Sequence, residues 1–292
     1  MIITKLKGGM GNQMFQYALG RALSVKYGTS LGLDLSFLLD RTPRPNFTFR
    51  EYDLDIFNII NVDRVSQSKI PFLYRNFNGK FGLYFDYFRR KFFRLRGIEK
   101  SFNFDLTILN IGSNAYLDGY WQSYKYFADI EDIIRKDFTL KDELSLNIKN
   151  LMEVIKKENS LCIHVRRGDY VGNSNHEIVG KEYYDKGIKI LSEKTKIDKI
   201  YVFSDDVKWC EDNMKFDFPV MFVGEEYSGI KAEGHFSLMS ACHSFIIPNS
   251  SFSWWAAWLS VHKDKIVIVP KKWFGDASIN SDDLIPKEWI RI

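Results

Sequence analysis

The chain has 292 residues and a net charge of +4, with 45% hydrophobic and 27% charged residues. The length predicts two domains, or one large α/β domain, of ordinary globular composition. The small net charge gives no indication of a nucleic-acid-binding protein, and no apolar run approaches the ~20 residues of a membrane-spanning helix. The aromatic content of 16% suits either a sugar-binding site or an aromatic core.

The cysteines indicate a reducing environment. Cys162, Cys210 and Cys242 follow no disulfide or metal-binding spacing, and each lies in or beside an apolar run. We therefore expect buried free thiols and no metal site. The N-terminal MIITKLKGG has no apolar signal region, so we expect a soluble, cytoplasmic protein.

The first half of the chain opens with a predicted strand–helix–strand unit. Residues 2–6 form a strand, a glycine-rich turn follows, and residues 12–27 have the apolar spacing of a helix that ends at Gly28. Residues 30–36 form a second predicted strand and residues 41–49 a loop.

Residues 69–100 are rich in Lys, Arg, Phe and Tyr and include the run YFDYFRRKFFRLR at 84–96. One interpretation is an amphipathic helix that packs its aromatic side chains inward. The other is a basic and aromatic face at 84–96 that contacts the inner membrane surface or an anionic, lipid-linked substrate.

The second half of the chain has a clearer pattern. Residues 126–158 are helical and polar, and we expect a domain boundary between residues 155 and 156. Short apolar strands at 161–165, 199–204, 220–224, 244–249 and 265–270 alternate with helical segments. This alternation indicates a parallel sheet covered by helices on both faces.

Ligands of open parallel sheets bind outside the carboxyl ends of the strands. HVRRGDY follows the strand at 161–165 and supplies Arg166 and Arg167, whose guanidinium groups match phosphate oxygens. Asp169 can orient one of them. The alternative is a surface or interdomain salt bridge.

Two further polar segments follow strands. In FSDD, Asp205 and Asp206 could accept from a ribose hydroxyl or from guanine, could cap the helix that follows, or could less readily bind a metal. In NSSFSWWAAWL, a polar turn opens a helix and forms either an anion site or a simple cap. The residues of this turn are Asn249, Ser250, Ser251, Phe252 and Ser253, and we expect the three tryptophans after it in the core.

Arginine, a helix N-terminus and an aspartate at one sheet edge predict a nucleotide-diphosphate site. The chain contains no GxxxxGK[ST] sequence, so ATPase-type phosphoryl transfer is disfavoured. The opening loop departs from GxGxxG because Phe15 and Gln16 follow its glycines, which disfavours a dinucleotide oxidoreductase.

The segments GGMGNQMFQYALGRAL, GYWQSYKYF, HVRRGDY, YVFSDD and SLMSACHSFIIPNSSFSWWAAWL together resemble the bacterial α-1,2-fucosyltransferases of glycosyltransferase family 11. The resemblance implies an α/β fold of GT-B type, with two Rossmann-like domains facing a cleft: an acceptor-side domain (1–155) and a donor-binding domain (156–292). It also implies GDP-fucose as donor, a β-galactoside acceptor, inversion, and no metal or other cofactor. An O-antigen or a related oligosaccharide is the implied product.

By the same resemblance, His164 lies near guanine, Arg166 contacts the β-phosphate, and Asp205 or Asp206 binds guanine. The serines at 250, 251 and 253 hold phosphate oxygens. The GGMGNQ loop would reach the sugar and diphosphate, with Gly9 and Gly11 allowing close approach and Asn12 and Gln13 supplying polar contacts.

The general base is left open. His176 and Glu177 lie on a loop that could reach the site, and Asp169 is close in sequence. Three other functions compete with fucosyl transfer: transfer of another GDP-linked sugar, sugar binding without catalysis, and a Rossmann oxidoreductase. Sugar binding without catalysis would not need Arg166, Arg167 and a helix N-terminus at one edge, and the glycine spacing of the opening loop disfavours the oxidoreductase.

Overall fold

The computed structural model describes residues 1–43, 48–60, 62–75, 82, 84–85, 87–88, 96–168, 179–276 and 279–292. The chain forms two compact units, residues 1–141 with 282–284, and residues 142–281 with 285–292. None of the helices in the described ranges has both the length and the apolar character needed to cross a membrane.

The first unit contains a parallel sheet in the order β3-β2-β1-β4. Its strands are β1 (Ile2–Lys5), β2 (Leu31–Asp34), β3 (Val62–Arg64) and β4 (Ala115–Leu117). Its helices are α1 (Met10–Tyr27), α2 (Ser36–Leu39) and α3 (Glu131–Asp137). Short 3-10 helices cover Leu54–Ile56, Gln67–Lys69, Phe72–Tyr74, Ile108–Asn110, Tyr124–Tyr126 and Ala128–Ile130.

The predicted strand–helix–strand opening is confirmed. Helix α1 begins at Met10, two residues before the predicted start, because Gly9 is extended (φ −77°, ψ 179°) and forms the N-cap. The helix ends at Gly28, which adopts the left-handed conformation (φ 58°, ψ 38°) that glycine tolerates best.

The second unit contains a parallel sheet in the order β10-β9-β8-β5-β6-β7. Its strands are β5 (Ser160–Val165), β6 (Lys199–Ser204), β7 (Val220–Phe222), β8 (Ser244–Ile246), β9 (Val267–Val269) and β10 (Ile290–Arg291). Its helices are α4 (Leu146–Lys157), α5 (Lys181–Ser192), α6 (Val207–Asn213), α7 (Glu233–Ser240) and α8 (Ser251–Leu259), with a 3-10 helix at Glu225–Tyr227.

The core of the second unit follows from its apolar spacing. Tyr184, Ile188 and Leu191 of α5 recur at helical spacing and pack against the buried residues of β5. Full burial of side chains of this size contributes roughly 1.5–3 kcal/mol each. Trp254 and Trp255 of α8 are completely buried, which confirms the prediction that these tryptophans are core residues. The three cysteines are free and buried, as expected.

The two units divide between Lys141 and Asp142 rather than between residues 155 and 156. Helix α4 belongs to the second unit because it buries Ile148 and Ile155 and contacts α7. The two helices approach closely, since a Cβ added at Gly234 would lie 2.7 Å from Ile148 Cδ1. The polar exposed face of α4 made this boundary hard to place from the sequence.

The C-terminal boundary also differs from the expected continuous second domain. Residues 282–284 belong to the first unit. There the Asp283 backbone carbonyl accepts a hydrogen bond from Ser123 Oγ at 2.6 Å, and its carboxylate accepts one from the Phe104 backbone N–H at 2.9 Å. A segment of only three residues, Asp-Asp-Leu, is too short to give a periodic signal from which this return could be predicted.

The aromatic segment at 69–100 is described only in part. Residues 82, 84, 85, 87 and 88 are helical, whereas 67–69 and 72–74 form separate 3-10 turns. Phe85 packs edge-on against Phe72, with ring centroids 5.4 Å apart. Tyr84 and Tyr87 are 76% and 63% exposed, so the expected inward packing does not hold for them. Most of the basic residues of this segment lie outside the described ranges.

Candidate active site

Each sheet has a point where the strand order reverses, and ligands of such sheets bind outside the carboxyl ends of the strands there. In the second unit this point lies between β5 and β8, because β6 and β7 continue on one side of β5 while β8, β9 and β10 continue on the other. In the first unit it lies between β1 and β4. The segments that follow these four strands are therefore the candidates for a ligand site.

Asp205, which follows β6, organises the segment that follows β5. Its Oδ2 lies 2.9 Å from Arg166 Nη1 and 3.1 Å from the Gly168 backbone N–H, and its Oδ1 accepts from the Arg167 backbone N–H at 2.9 Å. A Cβ at position 168 would lie 2.6 Å from Asp205 Oδ2, so only glycine permits this approach. The carboxylate thereby fixes both the backbone and the guanidinium of the arginine motif.

Asp206 has a different role from its neighbour. Its Oδ1 accepts from the Trp209 backbone N–H at 3.2 Å, which makes it the N-cap of α6, one of the roles left open by the sequence. Its Oδ2 accepts from Arg167 Nε at 3.2 Å, and the Arg167 guanidinium lies over the Trp209 ring at 3.7 Å. Stacking and pairing together hold Arg167 in one orientation.

His164 is a buried, neutral histidine at the end of β5. Burial first, and then the positive charge of Arg166, lower its pKa to about 3. Its Nδ1 has no hydrogen-bond partner among the residues that the structure describes. Its ring centroid lies 6.1 Å from that of Phe252 in α8, so the β5 and β8 ends are in contact at this point.

The polar turn before α8 is more buried than its composition suggested. Ser253 is completely buried and donates to the Ser250 carbonyl at 3.2 Å, and Asn249 donates to the Trp273 carbonyl at 3.0 Å. Ser251 and Phe252 are half-buried. Within the described part of the chain, Ser250 occupies the N-cap position without a side-chain capping hydrogen bond, so the alternative of a simple serine cap is not supported there.

The first unit carries the opening loop. Gln13 is completely buried, and its Nε2 donates to the carbonyls of Gly8 (2.9 Å) and Glu51 (2.7 Å), while its Oε1 accepts from the Asp53 backbone N–H at 3.0 Å. Gln13 thus tethers two chain segments, and its expected contact with the substrate stays a prediction. Gly9 supplies the carbonyl that accepts from Asn12 N–H, and Gly11 is buried within α1.

Asn12 remains half-buried at the start of α1. Its Oδ1 accepts a hydrogen bond from Gln122 Nε2 at 2.6 Å. Gln122 follows β4, so this bond joins the two strand ends at the reversal point of the first sheet.

Comparison with known proteins identifies the family. The chain matches the model of Glycosyl transferase family 11 over residues 1–292. The chain belongs to glycosyltransferase family 11. An α-1,2-colitosyltransferase of Escherichia coli is 34% identical over 302 residues, covering 100% of this chain and 99% of the relative. The O-antigen biosynthesis glycosyltransferase WbnK of Escherichia coli is 34% identical over 319 residues, covering 98% and 99%.

A solved structure supports the fold assignment. A crystal structure of the α-1,6-fucosyltransferase NodZ, co-crystallised with GDP, has a TM-score of 0.51 and 16% sequence identity, covering 88% of this chain and 91% of NodZ. The likeness, together with the two parallel-sheet units, confirms the GT-B fold class expected from the resemblance to family 11.

Several expected site residues of this family 11 protein lie outside the described residues. They are Asp169, His176 and Glu177, so the candidates for the general base stay predictions. In the described ranges, one group could hold a metal ion: ligand atoms of His243, His262 and Asp264 lie within 4.8 Å of one another. His243 directly precedes β8, so this group lies at the amino edge of the sheet, opposite the arginine motif.

The sequence interpretation of family 11 motifs missed some residues of the site. Gly168 lies within HVRRGDY, and its role is visible only in the structure, where the Asp205 carboxylate approaches it closely. Trp209 lies in the helix after FSDD, and only the structure shows that the Arg167 guanidinium stacks on its ring. Gln122 lies within GYWQSYKYF, where a polar residue among aromatic ones could have indicated a functional side chain.

Proposed function

We propose that this protein transfers L-fucose from GDP-β-L-fucose to the 2-hydroxyl of a terminal β-galactoside with inversion, forming an α-1,2-fucosyl glycan such as an O-antigen. Membership of family 11 supports glycosyl transfer. The names of the two Escherichia coli relatives support α-1,2 linkage and O-antigen synthesis. GDP in the NodZ crystal supports a guanine nucleotide as the carrier.

One observation carries the donor assignment. At the reversal point of the second sheet, a guanidinium fixed by Asp205 lies after β5, and the N-terminus of α8 begins after β8. Arginine supplies a planar pair of donors, and the first backbone N–H groups of a helix supply further donors with a favourable dipole. Two adjacent donor groups of this kind suit the two phosphates of a nucleotide diphosphate.

The proposed reaction is a direct displacement. An oxygen of the acceptor forms a bond to C1 of fucose, the bond from C1 to the diphosphate oxygen breaks, and the electron pair stays on GDP. The transition state is oxocarbenium-like, and negative charge grows on the leaving diphosphate. Arg166 and the N–H groups of α8 stabilise that charge, because these donors are already fixed at the sheet edge before the bond breaks.

The acceptor hydroxyl loses a proton during the transfer. Asp169 and His176 remain the candidates that receive it, as residues of a segment next to the arginine motif. We expect no metal to take part, because the arginine and the helix N-terminus already supply the charge stabilisation that a metal ion would give.

A second candidate donor has a specific observation in its favour. The relative that covers the whole chain at 34% identity is a colitosyltransferase. GDP-linked colitose, the 3-deoxy analogue of fucose, is therefore the main competitor of GDP-fucose. A site that hydrogen-bonds the 3-hydroxyl of fucose would discriminate strongly against the analogue that lacks it.

The test is a transfer assay with each donor and lactose as acceptor, in the presence of EDTA, with GDP release and product linkage both measured. We expect α-1,2-fucosyl-lactose and faster turnover with GDP-fucose than with GDP-colitose. Faster transfer of colitose would replace fucose in the proposal. Release of GDP from neither donor, with any galactoside, would leave sugar binding without catalysis as the better description. Loss of activity in EDTA would overturn metal independence.

We further propose that the protein acts in the cytoplasm, with peripheral contact to the inner membrane face through residues 84–96. The exposed aromatic side chains at this position support the proposal: Tyr84, Tyr87 and Phe88 are 76%, 63% and 48% exposed. Aromatic rings of this kind favour the interfacial region of a bilayer, and the basic residues of the segment would attract anionic lipids.

A further inference from the structure

A cluster of two imidazoles and one carboxylate lies at the amino edge of the second sheet. Its members are His243, which directly precedes β8, and His262 and Asp264, which lie in the loop between α8 and β9. One ligand atom from each side chain lies within 4.8 Å of the other two. All three residues belong to the second unit, so the cluster is complete within that unit.

Backbone hydrogen bonds fix the two segments that carry the cluster. The His243 backbone N–H donates to the Ser160 carbonyl at 3.1 Å, which anchors it to the start of β5. Ser260 Oγ donates to the Cys242 carbonyl at 3.2 Å, so the loop after α8 is attached to the turn before β8. Groups that are already held in place lose little conformational entropy when they bind a ligand.

The two imidazoles are close enough to bind one ion. The ring centroids of His243 and His262 lie 3.6 Å apart. Two rings at this distance repel each other strongly if both are charged, so at least one is neutral and keeps a lone pair for a metal. His262 Nε2 lies 3.3 Å from the Ala241 carbonyl, which can only accept, so Nε2 carries a proton. A backbone carbonyl is a common partner for the second nitrogen of a metal-binding histidine.

His243 has a buried nitrogen whose lone pair or proton is not satisfied. Its Nδ1 is buried and has no hydrogen-bond partner among the described residues. Buried polar atoms without a partner are uncommon in native proteins, and an unmodelled ion is one of the accepted explanations. Coordination of a cation by this nitrogen would replace the hydrogen bond that it lacks.

The set of ligands suits zinc. Zinc binds imidazole nitrogen and carboxylate oxygen in tetrahedral sites, whereas calcium and magnesium prefer sites made of oxygen alone. Ligand atoms about 2.1 Å from a tetrahedral ion lie roughly 3.4 Å apart, so the atoms now within 4.8 Å need to close by about 1.4 Å at most. Asp264 is exposed in a turn and His262 is half-buried, so both side chains have room to rotate.

We infer that His243, His262 and Asp264 form a zinc-binding site, which ties the loop between α8 and β9 to the start of β8. Three protein ligands leave the fourth position to water. The site is separate from the proposed transfer site. His243 meets Ser160, and Arg166 lies six residues further along β5, roughly 20 Å away at about 3.3 Å per residue. Transfer that needs no metal is therefore compatible with a zinc ion here.

Calorimetric titration of the full chain with Zn²⁺, after removal of metal with EDTA, tests the site. We expect wild type to bind one equivalent, and His262→Gln and Asp264→Asn to bind at least about tenfold more weakly, because loss of even a hydrogen-bond partner of a metal ligand has that effect. Asp212→Asn is the matched control, since Asp212 is an exposed aspartate that pairs with Lys208. No binding by wild type, or equal affinity in all variants, would overturn the site.

Spectra of protein labelled with 15N-histidine identify the ligands directly. Zinc should shift the ring nitrogen resonances of His243 and His262, which are assigned by their loss in the corresponding Gln variants. The resonances of His235, whose Nε2 lies 2.9 Å from the Gly224 carbonyl, should not change. Zinc should also raise the Tm of wild type by several degrees and leave that of His262→Gln unchanged. Shifts confined to other histidines, or an equal rise in Tm in both proteins, would refute the assignment.

Discussion

Asp205 accepts hydrogen bonds from Arg166 and from the backbone that carries it: Oδ2 lies 2.9 Å from Arg166 Nη1, and the Arg167 and Gly168 N–H groups complete the set. Sequence reasoning gave Asp205 a possible contact with guanine. The geometry makes the carboxylate the support of the arginine motif, and its contact with guanine stays a prediction.

Replacement of Arg166 should nearly abolish transfer. Both Arg166→Ala and Arg166→Lys should lower kcat by ~10²–10³, because lysine lacks the planar fork that can contact Asp205 and a phosphate together. The measurement is single-turnover transfer from GDP-fucose. Arg135→Lys is the matched control, since Arg135 pairs with Glu131 on the partly exposed helix α3 and should keep wild-type activity. Substantial activity in Arg166→Lys would contradict the bidentate role.

Replacement of Asp205 distinguishes support of the arginine from recognition of guanine. Asp205→Asn removes the charge that pairs with Arg166, so we expect weaker binding of GDP and of inosine diphosphate by the same factor. Inosine diphosphate lacks the 2-amino group of guanine, and its affinity is measured by calorimetry. A selective loss of GDP binding would show that Asp205 reads guanine. Asp206→Asn is the companion variant, because asparagine preserves the cap of α6.

Gly168→Ala tests the same contact by steric means. The added Cβ would lie 2.6 Å from Asp205 Oδ2, so the carboxylate or the backbone must move. We expect a loss of transfer similar to that of Asp205→Asn, with the unfolding midpoint close to wild type, because the site is partly exposed. Full activity in Gly168→Ala would mean that the close approach is dispensable.

His164 should make stability depend on pH. Its folded-state pKa of about 3 lies below the ordinary value of about 6.5, so the unfolded chain binds more protons between these values. The stability that the folded state gains by keeping His164 neutral is therefore fully present above pH 6.5 and is lost as the pH falls toward 3. For a shift of this size, the free energy of unfolding should fall by about 2 kcal/mol between pH 7 and pH 5 through this group.

Urea unfolding of wild type and His164→Gln at pH 7 and pH 5 measures this effect. Between pH 7 and pH 5, the free energy of unfolding should decrease by about 2 kcal/mol less in His164→Gln than in wild type, whatever the variant's absolute stability. His262→Gln is the control, because burial and the neighbouring His243 lower the pKa of His262 at a more accessible position, where we expect a smaller effect. Equal decreases in wild type and His164→Gln would show that the histidine is not held neutral.

Membrane contact is tested with liposomes that contain anionic lipids. We expect the wild type to co-sediment and a Tyr87→Ser, Phe88→Ser double variant to bind several-fold less, since both side chains are exposed. Ile230→Ser is the control, because Ile230 is 96% exposed on the other unit and should not affect binding. Absence of wild-type binding would remove the membrane proposal.

Local patterns made the second unit predictable. Its strands are continuous apolar runs that alternate with helical segments, so β5, β6, β7, β8 and β9 were placed within a few residues. In the first unit, β3 and β4 escaped prediction because each is only three residues long and lies in sequence without a repeated apolar pattern.

The sequence by itself determined strands β5 to β9, the glycine stop at Gly28 and the motifs that identify family 11, because these depend on neighbours along the chain. Tertiary structure alone decided that Asp205 supports Arg166, that Gln13 is a tether, and that Gln122 meets Asn12. The reason is physical. A residue that follows a strand can bond only to residues that follow a neighbouring strand, and strand order depends on packing between segments far apart in sequence.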